Sequence, residues 1–349
     1  MTQVIFNGRR AAQIENDLLR VTVLEEGGHI AEVFDKRAGV NPLWIPHWTS
    51  VEPSAFGPEQ YDQFGTGPDA KLLVGIMGHN LCLDLFGSPS PEEAASGLTV
   101  HGESSVERYD MSETAKGLLL QVMLPLAQLN FTRSIQLHGQ HIRIHETVEN
   151  LSAMDRPLAW TQHVTLSPPF LDPAATQFRA SMGRSIASET DPGFAAYLSP
   201  GKEFTWPMAP RPHGGPADLR QMHATAPASG YTASLAVQES DNAYWVAYAP
   251  EFRLAFGYIW KRVDFPWLGI WEENCSRQAS PWDGRTITRG MEFGVSPFPE
   301  SRREMVERNR LLNTPTYKWI AAHGRLEAEY WITSQLADAV PEAFEWPES

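Results

Sequence analysis

The segment His141-Ile142-Arg143-Ile144-His145-Glu146-Thr147-Val148 alternates strictly, with Ile142, Ile144, Glu146 and Val148 on one side and Arg143, His145 and Thr147 on the other. A period of two is the mark of a β-strand with unlike faces. Asn150-Leu151-Ser152 supplies the turn that ends it, and residues 157–166 read as the next strand. Upstream, residues 105–110, 117–123 and 131–137 are strand-like. Nearer the start, Arg20, Thr22 and Leu24 alternate with Val21 and Val23, and Glu26-Gly27-Gly28 turns the chain into a second strand through Phe34. Downstream, strand patterns recur at 232–238, 243–248, 253–260, 267–273, 290–295 and 326–336, while residues 301–311 form an amphipathic helical pattern.

Strand after strand with turn residues between them, few helices and no internal repeat predict an all-β protein, a large antiparallel β-sandwich. No shift in composition divides it, so a single domain over residues 1–349 is expected, with the tail after about residue 337 peripheral. Residues 42–67 are rich in Pro, Gly and aromatic side chains and predict either a long ordered loop or a loop that covers something. Residues 167–215 predict irregular structure.

The net charge of −14 argues against a nucleic-acid or anionic-membrane partner, which would require a basic face. Two cysteines, Cys82 and Cys275, indicate no disulfide framework. The first ten residues hold no signal-peptide core and no run is long enough to cross a bilayer, which points to a cytoplasmic protein. A homo-oligomer is left open. Neither a phosphate-binding glycine loop nor a Gly-x-Ser-x-Gly elbow is present. His141 and His145 stand four apart on a strand, about 13 Å by rise, too far to share a metal ion. No metal and no cofactor are expected.

The residues that invite chemistry lie in Leu268-Gly269-Ile270-Trp271-Glu272-Glu273-Asn274, an apolar strand ending in two acids. A buried carboxylate must be paired or shift its pKa, so one of these two is a candidate general base and the other reading is a structural ion pair to Arg253, Lys261 or Arg285. Successive strand residues face opposite ways. Parity places Glu273 with Trp271 and Gly269, an aromatic platform and an open position, and Glu272 with Leu268 and Ile270. The twelve tryptophans suit cores and sugar rings alike; Trp160, Trp245, Trp271 and Trp282 lie near the candidate positions, and Trp160, Trp271 and Trp282 are taken as candidate sugar contacts.

Taken in order, Val21 to Ile30, Leu98-Thr99-Val100-His101-Gly102, Glu146-Thr147-Val148-Glu149-Asn150-Leu151-Ser152 with Pro157-Leu158 and His163, then Ile270-Trp271-Glu272-Glu273-Asn274 and Pro281-Trp282-Asp283-Gly284 form a pattern that resembles the aldose 1-epimerase (galactose mutarotase-like) superfamily. The resemblance covers most of the chain. It implies a β-supersandwich that binds a sugar, and an isomerase of carbohydrate metabolism that interconverts anomers by acid/base ring opening. Carried over, the base is Glu272, the acid His163, and His101 holds and polarises the sugar; Glu273 and Asp172 are candidate substrate-binding residues, with Asp218 an alternative to Asp172. The chain departs from the family where His163 is followed by Val164-Thr165-Leu166 and where residues 88–97 carry no arginine. The alternatives are a non-catalytic carbohydrate-binding protein on the same fold, or a lyase or hydrolase acting on oligosaccharides.

Overall fold

The computed structural model describes residues 1–190 and 195–347. Its frame is an eleven-stranded and an eight-stranded antiparallel sheet. One apolar core lies between them, drawing Leu81, Val164, Ile270 and Phe293 from the larger sheet and Ile144, Phe256, Tyr258 and Ile332 from the smaller. The alternating segment His141–Val148 lies in the strand His141–Asn150, which pairs with Leu129–His138 on one side and Arg325–Leu336 on the other. Its apolar residues Ile142, Ile144 and Val148 point into the core, as the period requires.

Five neighbouring strands of the larger sheet build the site. In chain order they are β1 (His79–Leu83), β2 (Trp160–Leu166), β3 (Ala228–Ala236), β4 (Trp267–Asn274) and β5 (Ile287–Gly294). In space they run β1-β2-β5-β4-β3. Register places Asn80, His163, Glu292, Gly269 and Ala233 side by side in one row across all five. That row lies on the face turned away from the second sheet, because the alternating residues Val164, Ile270, Met291 and Phe293 enter the core.

A second apolar cluster covers this outer face and includes Trp44, Trp48, Phe64, Leu72, Tyr231, Trp271 and Trp282. Trp44, Trp48 and Phe64 come from residues 42–67, so part of that loop packs over this face. Its start is tied down by Trp44, whose N–H donates to Thr165 O at 2.8 Å and whose carbonyl accepts from Gly78 N at 2.8 Å. The short helix Ala70–Leu73 follows it.

Within residues 167–190 and 195–215 the chain is more ordered than composition suggests, holding the strands Gln177–Ala180, Met182–Ala187 and Glu203–Thr205 toward the sheet edges. The helix is Arg302–Arg308, closed at its start by Ser301, whose hydroxyl accepts from Glu304 N. The tail is docked: Phe344 is buried against Val246, Ile259 and Trp331 on the outer face of the smaller sheet. Among the described residues no helix is long and apolar enough to cross a membrane.

Candidate active site

A cavity of about 870 Å3 opens above the row on the larger sheet, within the roughly 300–1,000 Å3 typical of small-molecule sites. His163, Glu292, Tyr231 and Trp271 reach it from the strands, and Trp44, His101, Arg277 and Trp282 from loops. His163 and Glu292 are cross-strand partners, which sets their side chains next to each other. His163 Nε2 lies 3.1 Å from Glu292 Oε1. The His163 and His101 rings stand 4.6 Å apart, and Trp271 is 6.2 Å from His163.

The electrostatics of this pair are those of a buried, poorly neutralised site. Burial pushes the Glu292 carboxyl up to about 8, the neighbouring Tyr231 hydroxyl opposing only in part. Burial likewise pulls His163 down to about 4, and His101 well below its ordinary value. At neutral pH the pair therefore rests uncharged, holding one proton between them. A strong ion pair would require a cation near Glu292, and among the described residues His163 is its sole ion-pair partner.

Space around Glu292 is made by glycine. A Cβ at Gly290 would strike Glu292 Oε1, and one at Gly269 would strike the Tyr231 hydroxyl. The Tyr231 O–H donates to Pro297 O at 3.1 Å. One wall of the cavity is aromatic: Trp44 and Trp282 lie nearly parallel with centroids 6.0 Å apart. The Arg277 guanidinium sits over Trp282 at 4.6 Å and over Trp271 at 5.3 Å.

The structure brings together His163, His101, Trp271 and Trp282 of the expected residues. It does not bring Glu272 with them. β4 pairs with both neighbours without a register shift, so Glu272 shares the inward face with Leu268 and Ile270. There its Oε1 lies 3.3 Å from Arg289 Nη1, and its Oε2 accepts from the Tyr197 hydroxyl at 2.7 Å. The expected catalytic glutamate is thus a structural ion pair, to Arg289 rather than to the arginines or lysine named from sequence. Glu273 does face outward, and its carboxylate accepts from Ser276 N at 2.5 Å, Ser276 Oγ at 2.7 Å and Arg277 N at 3.0 Å. It anchors the loop that carries Arg277 and does not line the cavity.

Trp160 faces the core, donating to Glu146 Oε2 at 2.9 Å, and Trp245 is likewise core. Asp172 closes a turn by accepting from Ala174 N at 2.8 Å, and Asp218 pairs with Arg220 at 2.6 Å at the surface. His141 and His145 take separate partners, Thr333 and Glu327. The residue missed is Glu292. Its signal was Gly290-Met291-Glu292-Phe293-Gly294, an acid flanked by glycines on its own face and by Met291 and Phe293 on the other.

No protein-family model and no curated protein matches the chain. Solved structures do. A Klebsiella pneumoniae protein described as a candidate aldose 1-epimerase superposes with a TM-score of 0.64 at 13% identity, over 95% of this chain and 80% of its own. A galactose mutarotase-like protein of Clostridium acetobutylicum gives 0.61 at 12%, over 96% and 98%. A galactose mutarotase related enzyme of Lactobacillus acidophilus gives 0.57 at 10%, over 95% and 99%. At such identities the likeness is one of architecture, and it agrees with the sheet order and core described above: this chain has the galactose mutarotase-like fold.

Proposed function

We propose that the cavity binds a free sugar and that His163 and Glu292 interconvert its anomers, making the protein an aldose 1-epimerase-type isomerase. The observation that carries this reading is the 3.1 Å contact between two buried titratable groups, shifted in opposite directions, on the floor of a tryptophan-walled cavity. Ring opening removes a proton from the anomeric hydroxyl and adds one to the ring oxygen. A dyad holding one proton can do both without changing the charge of the site. Moving that proton from Glu292 to His163 gives a carboxylate beside an imidazolium. The carboxylate then takes the anomeric proton while the imidazolium protonates the ring oxygen. The dyad returns to its neutral state and the sugar is an open-chain aldehyde, free to rotate and close on either face. Each proton transfer contributes on the order of 100- to 10,000-fold.

The roles are those the sequence resemblance implies for a glutamate and a histidine, with Glu292 in place of Glu272. Tryptophan faces suit the apolar faces of a pyranose, and Trp44, Trp271 and Trp282 are the candidates to meet it. The test is polarimetry, or exchange NMR, of freshly dissolved α-anomers across a panel of aldoses. Acceleration by the wild type supports the reading. No acceleration for any sugar, with binding retained, would leave a carbohydrate-binding protein on the same fold.

A further inference from the structure

Beneath His101 lies a buried amide that the dyad does not use. Asn80 belongs to the same sheet row as His163 and Glu292, and it is fully buried. Its Oδ1 is 3.0 Å from His101 Nδ1 and 3.8 Å from Cys82 Sγ. Cys82 is buried in apolar surroundings, which pushes its thiol well above the ordinary range and keeps it an S–H donor. Both contacts are thus served by an oxygen, and the amide's Nδ2 is left without a partner. An oxygen opposite Nδ1 requires the proton there. The other ring nitrogen, Nε2, is then a lone pair, and His101 lines the cavity.

The backbone holds this arrangement. His101 has φ of +67°, a left-handed conformation unusual for a non-glycine residue. Gly102 follows at φ +76°, where a Cβ would strike Leu83 O. The loop is therefore pressed onto the end of β1, with its imidazole over Asn80.

We propose that Asn80 is a positioning residue that locks His101 in the Nδ1–H tautomer, so that Nε2 accepts a hydrogen bond from a sugar hydroxyl. Without the amide the ring can turn its proton to Nε2 and present a donor where the sugar needs an acceptor. This assignment rests on the cavity being a sugar site, but the tautomer can be read without any sugar.

The experiment is long-range 15N–1H correlation NMR of histidine-labelled protein at neutral pH, with His101 assigned by its loss in His101→Gln. The expected result is a protonated Nδ1 and an unprotonated Nε2. Asn80→Leu, close in size, should shift His101 toward Nε2–H and raise KM about 3- to 10-fold with kcat little changed, the scale of one net hydrogen bond. Asn80→Asp, which keeps an oxygen opposite Nδ1, should restore the Nδ1–H signal. A wild-type His101 found as Nε2–H overturns the proposal even if the Leu variant fails to fold, and so does an unchanged tautomer in a folded Leu variant. If the wild type accelerates no sugar, the mutarotase reading falls and the tautomer alone decides the role of Asn80.

Discussion

Glu272 and Glu292 are two buried glutamates on neighbouring strands of one sheet, and they face opposite sides of it. Glu272 looks inward to Arg289 and the Tyr197 hydroxyl. Deeper in the same core, Glu146 is more fully served: Arg133 donates at 2.7 Å, Tyr330 at 2.8 Å, Trp160 at 2.9 Å and Gln162 at 2.6 Å. Glu292 looks outward into the cavity, where its ion-pair partner is a histidine that burial itself holds neutral. A carboxylate given a guanidinium or several donors is held by those partners and serves structure. One that is buried with only a weak partner keeps its proton close to neutral pH, which suits proton transfer.

The sharpest way to break this contrast is to neutralise each acid in turn. Glu292→Gln should lower the rate of anomer exchange on the order of 100- to 10,000-fold, while Glu272→Gln should leave it within a few-fold. Stability should respond the other way. Glu272→Gln strands a buried Arg289 charge and should cost about 3–5 kcal/mol in urea unfolding. The double change Glu272→Leu with Arg289→Met should recover much of that loss, since a buried pair replaced by packed apolar groups is often neutral.

The pH dependence bears on Glu292 and its histidine. Glu292 has a folded pKa raised to about 8 from the ordinary 4.5, so the native state binds the extra proton between those values. Its contribution is therefore unfavourable as pH rises, growing from about pH 5 and complete above about 8. Relative to Glu292→Gln, the wild type should lose stability at about 1 kcal/mol per pH unit across that window. His163, lowered to about 4 from 6.5, adds the mirror effect, a loss that sets in as pH falls below about 6.5. Anomer exchange, which needs one proton on the dyad, should follow a bell falling below about pH 4 and above about pH 8. The smallest effect is expected at the wall: Trp282→Leu should raise KM about 3- to 10-fold with kcat nearly unchanged, the scale of one aromatic contact.

The strands were legible because alternation survives wherever one face meets the core and the other meets solvent, as in His141–Asn150. It fails in β4, where every residue from Trp267 to Asn274 is buried. With a covered cavity on one side and the core on the other, hydrophobicity no longer says which face is which. Parity alone grouped Trp271, Gly269 and Glu273 correctly as one face, and the motif resemblance then favoured Glu272, which faces the core. Glu292 was hidden for the same reason, since β5 is buried over nearly its whole length. What marked it was not polarity but missing side chains, Gly290 and Gly294 beside it and Gly269 across from it. Asp172 and Trp160 could not be placed from sequence because a turn aspartate and a core tryptophan look the same in one dimension as ligand contacts.

The central claim is that the working carboxylate is the outward-facing one. The most direct test is polarimetric equilibration of an accepted α-aldose by wild type, Glu292→Gln and Glu272→Gln, each confirmed folded by circular dichroism. The account predicts loss of acceleration in Glu292→Gln and near wild-type acceleration in Glu272→Gln. Full activity in Glu292→Gln, with loss in a folded Glu272→Gln, would contradict it.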